Sequence, residues 1–582
     1  MRWLACLFVA SGALSGFAMA GEPLAFGKEA PELSVKDIRY LPRAWKDFGD
    51  KKAIVLAFVA LQDSASRELL QQLAQYRKDM SDPRVEMAMV STGTEDSIPA
   101  IAAAAIRLDA RFQVLKDREA KTAHDLGVKV TPTVVVVDEK HRLLYRGNLA
   151  DARMVVDGLV LGQGSGVPLV EPEGRDIVVR SVPAASGPIT YVEHIGPIIN
   201  THCIDCHRAG RAVPLTLTSY DDVASKANMI KEVALEERMP PWYASPEHTE
   251  FINANRLTQE EKDAIEQWVA GGKQPGDLTK APAPPALPST EWEIGEPDLV
   301  LQLPQASEIP ATGFVPYKYV TLPYKFAEDT WIQGLQILPT NKAVVHHANI
   351  AYSVLEPGYD DDATFLTGYV PGGRPVMLDG PISMLIPKNS VLTIQIHYVT
   401  TGKADTEQMK VGIRYAKSDV HKRVYFQRIR PADKDIQIAP QDPFWRISSS
   451  WTSQKNATAL ALFTHMHVRG RDMEFLAEYP GGKQESMLLV PNYSFDWQLP
   501  YLYMPGAKQI PKGTKITTVS HYDNSPFNPY NPDPNRVVPY GDQTVDEMND
   551  AYIFYLDNDE SLDLRVDPKS GQVQKANVAS AK

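Results

Sequence analysis

The spacing of apolar residues changes character along the chain, and each change predicts a different kind of structure. From about residue 22 to 165, continuous apolar runs alternate with segments that are apolar every third or fourth position. The run KKAIVLAFVAL predicts a buried strand, and DSASRELLQQLAQYRKDM an amphipathic helix. VEMAMVST predicts another strand, the alanine-rich AIAAAAIRLDARF a helix, and VTPTVVVVDEKHRLLYRG a strand pair. From about 185 to 278 the pattern is largely helical, closing with LTQEEKDAIEQWVAGG. Between 292 and 566, short β-rich runs are punctuated by Pro, Gly, Asn and Asp, as in antiparallel sandwiches.

A proline-rich stretch, KAPAPPALPS within 279–291, predicts an extended, semi-rigid linker ahead of the β region. The β region divides near residue 417 into halves spanning 292–416 and 417–566, and no other internal repeat is evident. The tail 567–582, DPKSGQVQKANVASAK, is expected to be disordered. The 582 residues therefore read as a multidomain chain. The expected parts are an α/β domain at 21–170, an all-α domain at 185–278 and two antiparallel β-sandwich domains of jelly-roll type.

The first 20 residues, MRWLACLFVASGALSGFAMA, have the form of a secretory signal cleaved after Ala20. The run is too short for an anchor, and no later segment approaches a spanning length. A periplasmic or secreted protein without a membrane span is expected. The net charge of −12 is spread along the chain, which argues against nucleic acid and anionic membranes as partners. Of three cysteines, Cys6 leaves with the signal, so Cys203 and Cys206 must be explained together.

The order of elements in the first domain resembles a thioredoxin-like redoxin. Val130-Thr131-Pro132-Thr133 matches the position where that family carries a cis-proline before a strand. Where the family's redox cysteines follow the first strand, this chain has Asp63-Ser64-Ala65-Ser66. Without a thiolate there is no thiol–disulfide chemistry, so a scaffold or docking module is expected.

Cys203-Ile204-Asp205-Cys206-His207 is C-x-x-C-H, the attachment sequence of c-type haem. In that reading each thiol adds to a vinyl group and His207 becomes the proximal iron ligand. Half a zinc site is one alternative, but no second Cys or His pair stands at zinc spacing. A thiol-redox pair is another, but its surroundings are not thioredoxin-like. The surrounding sequence resembles a class I cytochrome c, in which Met239 of Arg238-Met239-Pro240-Pro241-Trp242 is the sixth ligand. Met229 competes for that role but lies in a helical pattern that suits a core residue. A His/Met haem has a raised potential and serves electron transfer. His194, His202 and His248 read as ordinary surface or loop residues.

In the β region stand His346-His347 (VVHHANI), His397 (LTIQIHYV), His465-x-His467 (FTHMHVRG) and Met548 (TVDEMNDAYIFY). Five imidazoles and one thioether suit copper, since nitrogen serves both oxidation states and soft sulfur favours Cu(I). Taken singly, a strand histidine is usually a satisfied polar group and a methionine usually fills a core. His465 and His467 alternate, so both leave one face of a strand. His346 and His347 can share a metal only at a strand end or bulge, or through different ring nitrogens. His397 would join them from a paired strand.

The order HH, H, HxH, M over roughly 292–560 resembles the copper type II, ascorbate-dependent monooxygenases, which include the peptidylglycine-hydroxylating and dopamine β-monooxygenases. PGGRPVMLDGPISMLIPKNSVLTIQIHY matches the stretch leading to the third histidine, and DEMNDAYIFY supplies the methionine. HMHVRGRDM and SHYDNSPFNPYNPDP are similar to the bacterial branch fused to a cytochrome. The resemblance implies two copper ions. His465, His467 and Met548 would hold the one at which dioxygen reacts, and His346, His347 and His397 the one that supplies the second electron. With them comes one covalently bound haem c.

Two departures shape the expectation. The disulfides that brace eukaryotic members are absent. Peptide-amidating members place an arginine two residues before the HxH pair to hold a substrate carboxylate, whereas this chain has Phe463. Tyr552 does match a substrate-side tyrosine of those members. An apolar or aromatic small organic substrate is therefore expected rather than a peptide terminus. His521 is read as structural, and the Asn456-Ala457-Thr458 sequon as meaningless in a bacterial-looking chain.

The resulting expectation is an exported copper monooxygenase whose own haem relays electrons from an external donor, an ascorbate-like reductant or a periplasmic carrier. The alternative is a non-catalytic copper-binding or electron-carrying haem protein. A solvent-closed copper site, with no open cleft between the β halves, would favour that alternative. Asp63 and Ser66 argue against a thiol oxidoreductase.

Overall fold

The computed structural model describes residues 24–163, 172–182, 187–211, 213, 215–247, 250–286, 290–355 and 364–574. The expected signal peptide with Cys6, His248, residues 287–289 of the linker and 575–582 of the tail lie outside the described residues. The described residues form two compact units, one drawn from the first 180 positions and one mainly from the rest.

The N-terminal unit is built on a seven-stranded sheet. Its order is Pro42–Arg43, Val35–Asp37, Gln113–Lys116, Val85–Ser91, Ala53–Val59, Thr133–Asp138, Leu143–Gly147. Ala53–Val59 runs parallel to Val85–Ser91 and is buried along its whole length, as a continuous apolar run requires in a covered sheet. Asp63 caps the following helix, Ser64–Asp79, its carboxylate accepting from the backbone N–H groups of Ala65 and Ser66 at 3.2 and 3.1 Å. The Ser66 hydroxyl donates to Asp63 Oδ2 at 2.8 Å, so both residues standing in place of cysteines serve the helix start. The Thr131–Pro132 bond is cis and leads into Thr133–Asp138.

The second unit opens with helices Gly196–His202, Tyr220–Ser225, Ala227–Leu235 and Gln259–Ala270. They close over a small core that includes Ile195, Ile198, Val223, Ile230, Ile265 and Trp268. This helical region seats on the β region through Trp242, edge-on to Tyr501 at 5.3 Å, and through Asn253, whose amide donates to the Pro500 carbonyl at 2.8 Å.

The β region has a long sheet shared by both halves. Its order is Leu299–Gln302, Lys410–Tyr415, Thr330–Leu338, Ile382–Ile386, Lys422–Ile429, Asp550–Asp557, Ala457–His465, Pro500–Leu502. The halves join where Ile382–Ile386 pairs in parallel with Lys422–Ile429. One four-stranded sheet is Lys318–Phe326, Ser390–Tyr398, Val345–Val354, Thr364–Tyr369; another is Trp445–Thr452, Lys515–Tyr522, Gly470–Glu478, Gln484–Val490. The period-two pattern turns Ile350, Ile394, Ile396 and Tyr398 inward against Ile332, Ile337, Val411 and Ile413 in one core. Full burial of each such side chain contributes about 1.5–3 kcal/mol. His347 and His397, directly opposed across their strand pair, take the other face.

One expectation fails at the C-terminus. Residues 567–574, read as part of a disordered tail, fold back on the long sheet. Trp331 N–H donates to the Gly571 carbonyl at 2.7 Å, and Val566 bridges Val573. The composition of this stretch is polar, but its backbone has hydrogen-bond partners, which composition alone does not reveal. No helix among the described residues is long and apolar enough to cross a membrane.

Candidate metal centre

The adjacent histidines share a site because the strand carrying them is irregular. Val345 pairs with Tyr398 and His347 with His397, so His346 is the extra residue of a bulge. Ring nitrogens of His346, His347 and His397 come within 4.8 Å of one another. His346 Nδ1 lies 2.9 Å from His347 Nδ1, while His346 Nε2 lies 2.9 Å from Asp496 Oδ1. A carboxylate on the far nitrogen fixes the tautomer and aims Nδ1 at its neighbours, the usual arrangement behind a metal-binding imidazole.

Strand Ala457–His465 delivers the second pair. His465 ends it opposite Asp550, and His467 lies two residues on, with the rings 5.3 Å apart and Met466 buried between them in sequence. Gln498 Oε1 accepts from His465 Nδ1 at 2.7 Å, and the Asp546 carbonyl accepts from His467 Nδ1 at 3.1 Å, leaving Nε2 of each ring for a ligand role. Glu547 accepts the backbone N–H groups of His467 and Arg469 at 2.8 and 2.7 Å. It thereby ties the HxH turn to Met548, the next residue, which is itself buried.

The two groups sit close together. His347 and His465 have ring centroids 6.4 Å apart, and His347 and His467 are 1 % and 0 % exposed. His347 Nε2, His397 Nδ1 and His467 Nε2 are buried and find no hydrogen-bond partner among the described residues. A buried polar atom without a partner is costly, and three facing one cluster fit a metal-binding role. Burial and neighbouring imidazoles hold His347 well below the ordinary histidine range, and burial takes His397 and His467 down to about 3. His465 is lowered as well, first by burial. The rings are therefore neutral, the form that donates a lone pair.

Beside His465, aromatic rings form a partly exposed face. Phe463 pairs with Tyr552 across two strands at 5.7 Å between centroids, and Phe365 lies 5.4 Å and Phe426 5.3 Å from Tyr552. Arg428 is the nearby cation, but Asp550 binds it twice, at 2.9 and 2.6 Å. The Tyr552 hydroxyl donates to the same carboxylate at 3.1 Å. The guanidinium is neutralised within the protein, which suits an apolar ligand better than a carboxylate.

Cys203 and Cys206 are both free thiols. Burial pushes Cys203 up to about 12 and raises Cys206 too, so neither is the thiolate that thiol exchange needs. His207 Nδ1–H donates to the Leu215 carbonyl at 3.1 Å, which leaves the lone pair on Nε2. Met239 follows the helix Ala227–Leu235, its N–H donating to the Val233 carbonyl at 3.1 Å.

Residues 26–146 match the AhpC/TSA family. The N-terminal domain is thioredoxin-like. Solved structures similar to the chain include a hypothetical protein from Sinorhizobium meliloti 1021, at 21% identity and TM-score 0.26, covering 26% of this chain and 94% of that one. Peroxidoxin BcpB from Mycobacterium tuberculosis is 19% identical at TM-score 0.22, covering 24% and 97%. A thiol-disulfide oxidoreductase from Bacteroides fragilis NCTC 9343 is 18% identical at TM-score 0.19, covering 20% and 89%. No curated protein matches the sequence.

Sequence reasoning missed the residues that hold the imidazoles in place. Phe495 stacks on His346 at 5.1 Å and lies within 6.0 Å of His347, His397 and His467. Asp496 and Gln498 follow it, each bonded to one histidine group. Tyr317 is 4.7 Å from His397 and 6.3 Å from His467. The signal that could have found the first three is polar residues set among aromatics in NYSFDWQLP. Two histidines named earlier lie elsewhere with ordinary partners. His521 pairs with Asp472 at 2.7 Å and stacks on Phe444, and His202 meets Asn255 at 2.7 Å.

Proposed function

We propose that the chain is an exported copper-dependent monooxygenase, with a haem c on Cys203, Cys206 and His207 relaying electrons to copper from an external donor. The observation that carries this reading is the gathering of His346, His347, His397, His465 and His467, three of whose buried ring nitrogens find no hydrogen-bond partner among the described residues, with the buried Met548 next in sequence to Glu547, which accepts the His467 N–H. Copper bound by these residues would supply one-electron chemistry toward dioxygen.

The chain's own residues have separable tasks. Asp496, Gln498 and the Asp546 carbonyl fix the tautomers of His346, His465 and His467. Burial favours the neutral form of His347, His397, His465 and His467. The face made by Phe463, Tyr552, Phe365 and Phe426 would hold an apolar or aromatic substrate next to His465. Hydroxylation takes up one dioxygen, two electrons and two protons and gives an alcohol and water. The thioredoxin-like domain, without cysteines, serves as a scaffold or docking module.

The close packing of the two histidine groups favours a second reading. Ring centroids at 6.4 Å and a fully buried His467 are what a non-catalytic copper-binding, electron-carrying haem protein would have. Dioxygen uptake by the metal-loaded chain separates the two. With aromatic small molecules and labelled dioxygen, the oxygenase yields labelled alcohol. Reduction and reoxidation with no labelled product supports the carrier.

A further inference from the structure

Between the C-x-x-C-H motif and His346 lies a short run of contacts through Gly372, Trp497 and Asp496. Gly372 sits at φ 78° in the turn after strand Thr364–Tyr369. A Cβ there would stand 2.8 Å from Cys206 Sγ and 3.9 Å from Trp497 Cζ3. The glycine is thus the spacer that brings a haem-attachment thiol and an indole together across one residue. Trp497 is bonded in sequence to Asp496, whose carboxylate meets His346 Nε2 at 2.9 Å. A cleft lined by Asp205, Cys206, Arg211, Gly372 and Trp497 opens at this point. The motif is held against the β region by Lys342, which donates to the Gly210 carbonyl at 3.0 Å, and by the Arg211–Glu293 ion pair.

We propose that Trp497 is the bridge through which single electrons pass from the haem edge at Cys206 to His346, with Asp496 as the positioning residue that couples the indole segment to the imidazole. The inference rests on the function proposed above. Electron transfer weakens steeply across empty or water-filled gaps, and a partly buried indole fills the one between Gly372 and Asp496. Each passage through Trp497 moves one electron. With both groups bound, ferrous haem on Cys203, Cys206 and His207 would become ferric as cupric copper held by His346, His347 and His397 became cuprous, with no bond or proton transferred. An external one-electron donor restores ferrous haem. Segment 495–498 then serves three centres at once: Phe495 and Asp496 at one histidine group, Gln498 at the other, and Trp497 at the haem.

The test is stopped-flow absorbance of the haem band in the full-length, haem- and copper-loaded protein. Haem is reduced anaerobically before cupric copper is added. The expected result is rapid haem reoxidation in the parent, slowed at least about tenfold in Trp497→Leu and restored most of the way in Trp497→Phe. Haem spectrum and copper content stay unchanged in both variants. Trp497→Leu reoxidising at the parent rate overturns the bridge alone. A parent haem that copper never reoxidises overturns the functional reading, and the bridge with it.

Discussion

Gln498 Oε1 lies 2.7 Å from Nδ1 of His465, with both side chains buried. The amide oxygen can only accept, so the ring proton must sit on Nδ1, and Nε2 is left with its lone pair. Replacing Gln498 by Leu removes that constraint and leaves a buried N–H unpaired. Copper affinity at the His465–His467–Met548 group should fall about 10- to 100-fold. The three-histidine group should be unaffected. Competition titration with a copper chelator should resolve one weakened and one unchanged site.

Met548→Ile keeps an apolar side chain of similar volume but removes the sulfur. Position 548 is buried beside Glu547, which holds the HxH turn, so the fold should tolerate the change. Dioxygen uptake should be lost while one copper per chain stays bound at His346, His347 and His397. An oxygen electrode and copper analysis of the same sample check both halves of the prediction.

The thioredoxin-like domain should be inert toward thiols and peroxides. Asp63 and Ser66 are engaged in starting helix Ser64–Asp79, and neither can form a thiolate. Insulin reduction and thiol-driven peroxide reduction should both stay at background. Activity in either assay would show that Cys203 and Cys206 act as a redox pair.

Asp117 gives this domain a pH dependence. Burial pushes its carboxyl from 3.8 up to about 6, against the N–H of Ala123 that it accepts at 2.8 Å. The native state therefore binds the proton more tightly than the unfolded chain. The resulting stability is full below about pH 4 and is lost as pH rises through about 6. Lys116 alongside, lowered to about 8 by burial, titrates above that window. Asp117→Asn should flatten the pH dependence between 4 and 6 and stabilise the domain by about 1–3 kcal/mol at pH 7. Denaturant melts of parent and variant at several pH values measure this.

The gathering of histidines was legible because residue types and their spacing carry it. Tandem and alternating histidines, a C-x-x-C-H string and a missing redox cysteine pair can all be read without coordinates. Strand periodicity alone left a strand end, a bulge or different ring nitrogens for His346-His347, and the register beside Val345 shows the bulge. What escaped was non-local. The long sheet crosses from one half to the other through the pairing of Ile382 with Lys422, which neither local pattern announces. Phe495, Asp496, Trp497 and Gln498 lie in a connection with no periodicity, so their partners could not be inferred from spacing. Tyr317 reads as an ordinary strand-flanking tyrosine until the fold sets it beside His397. The tail around Gly571 was misread because its hydrogen bonds are made by backbone, which composition does not encode.

The central claim is that six side chains form a two-copper centre served by one haem. The measurement that tests it most directly is the copper-to-iron ratio of the exported, full-length protein after gel filtration in the presence of copper. The account predicts two coppers for each covalently bound haem iron. A ratio of one or less, or a chain without covalently bound iron, would contradict it.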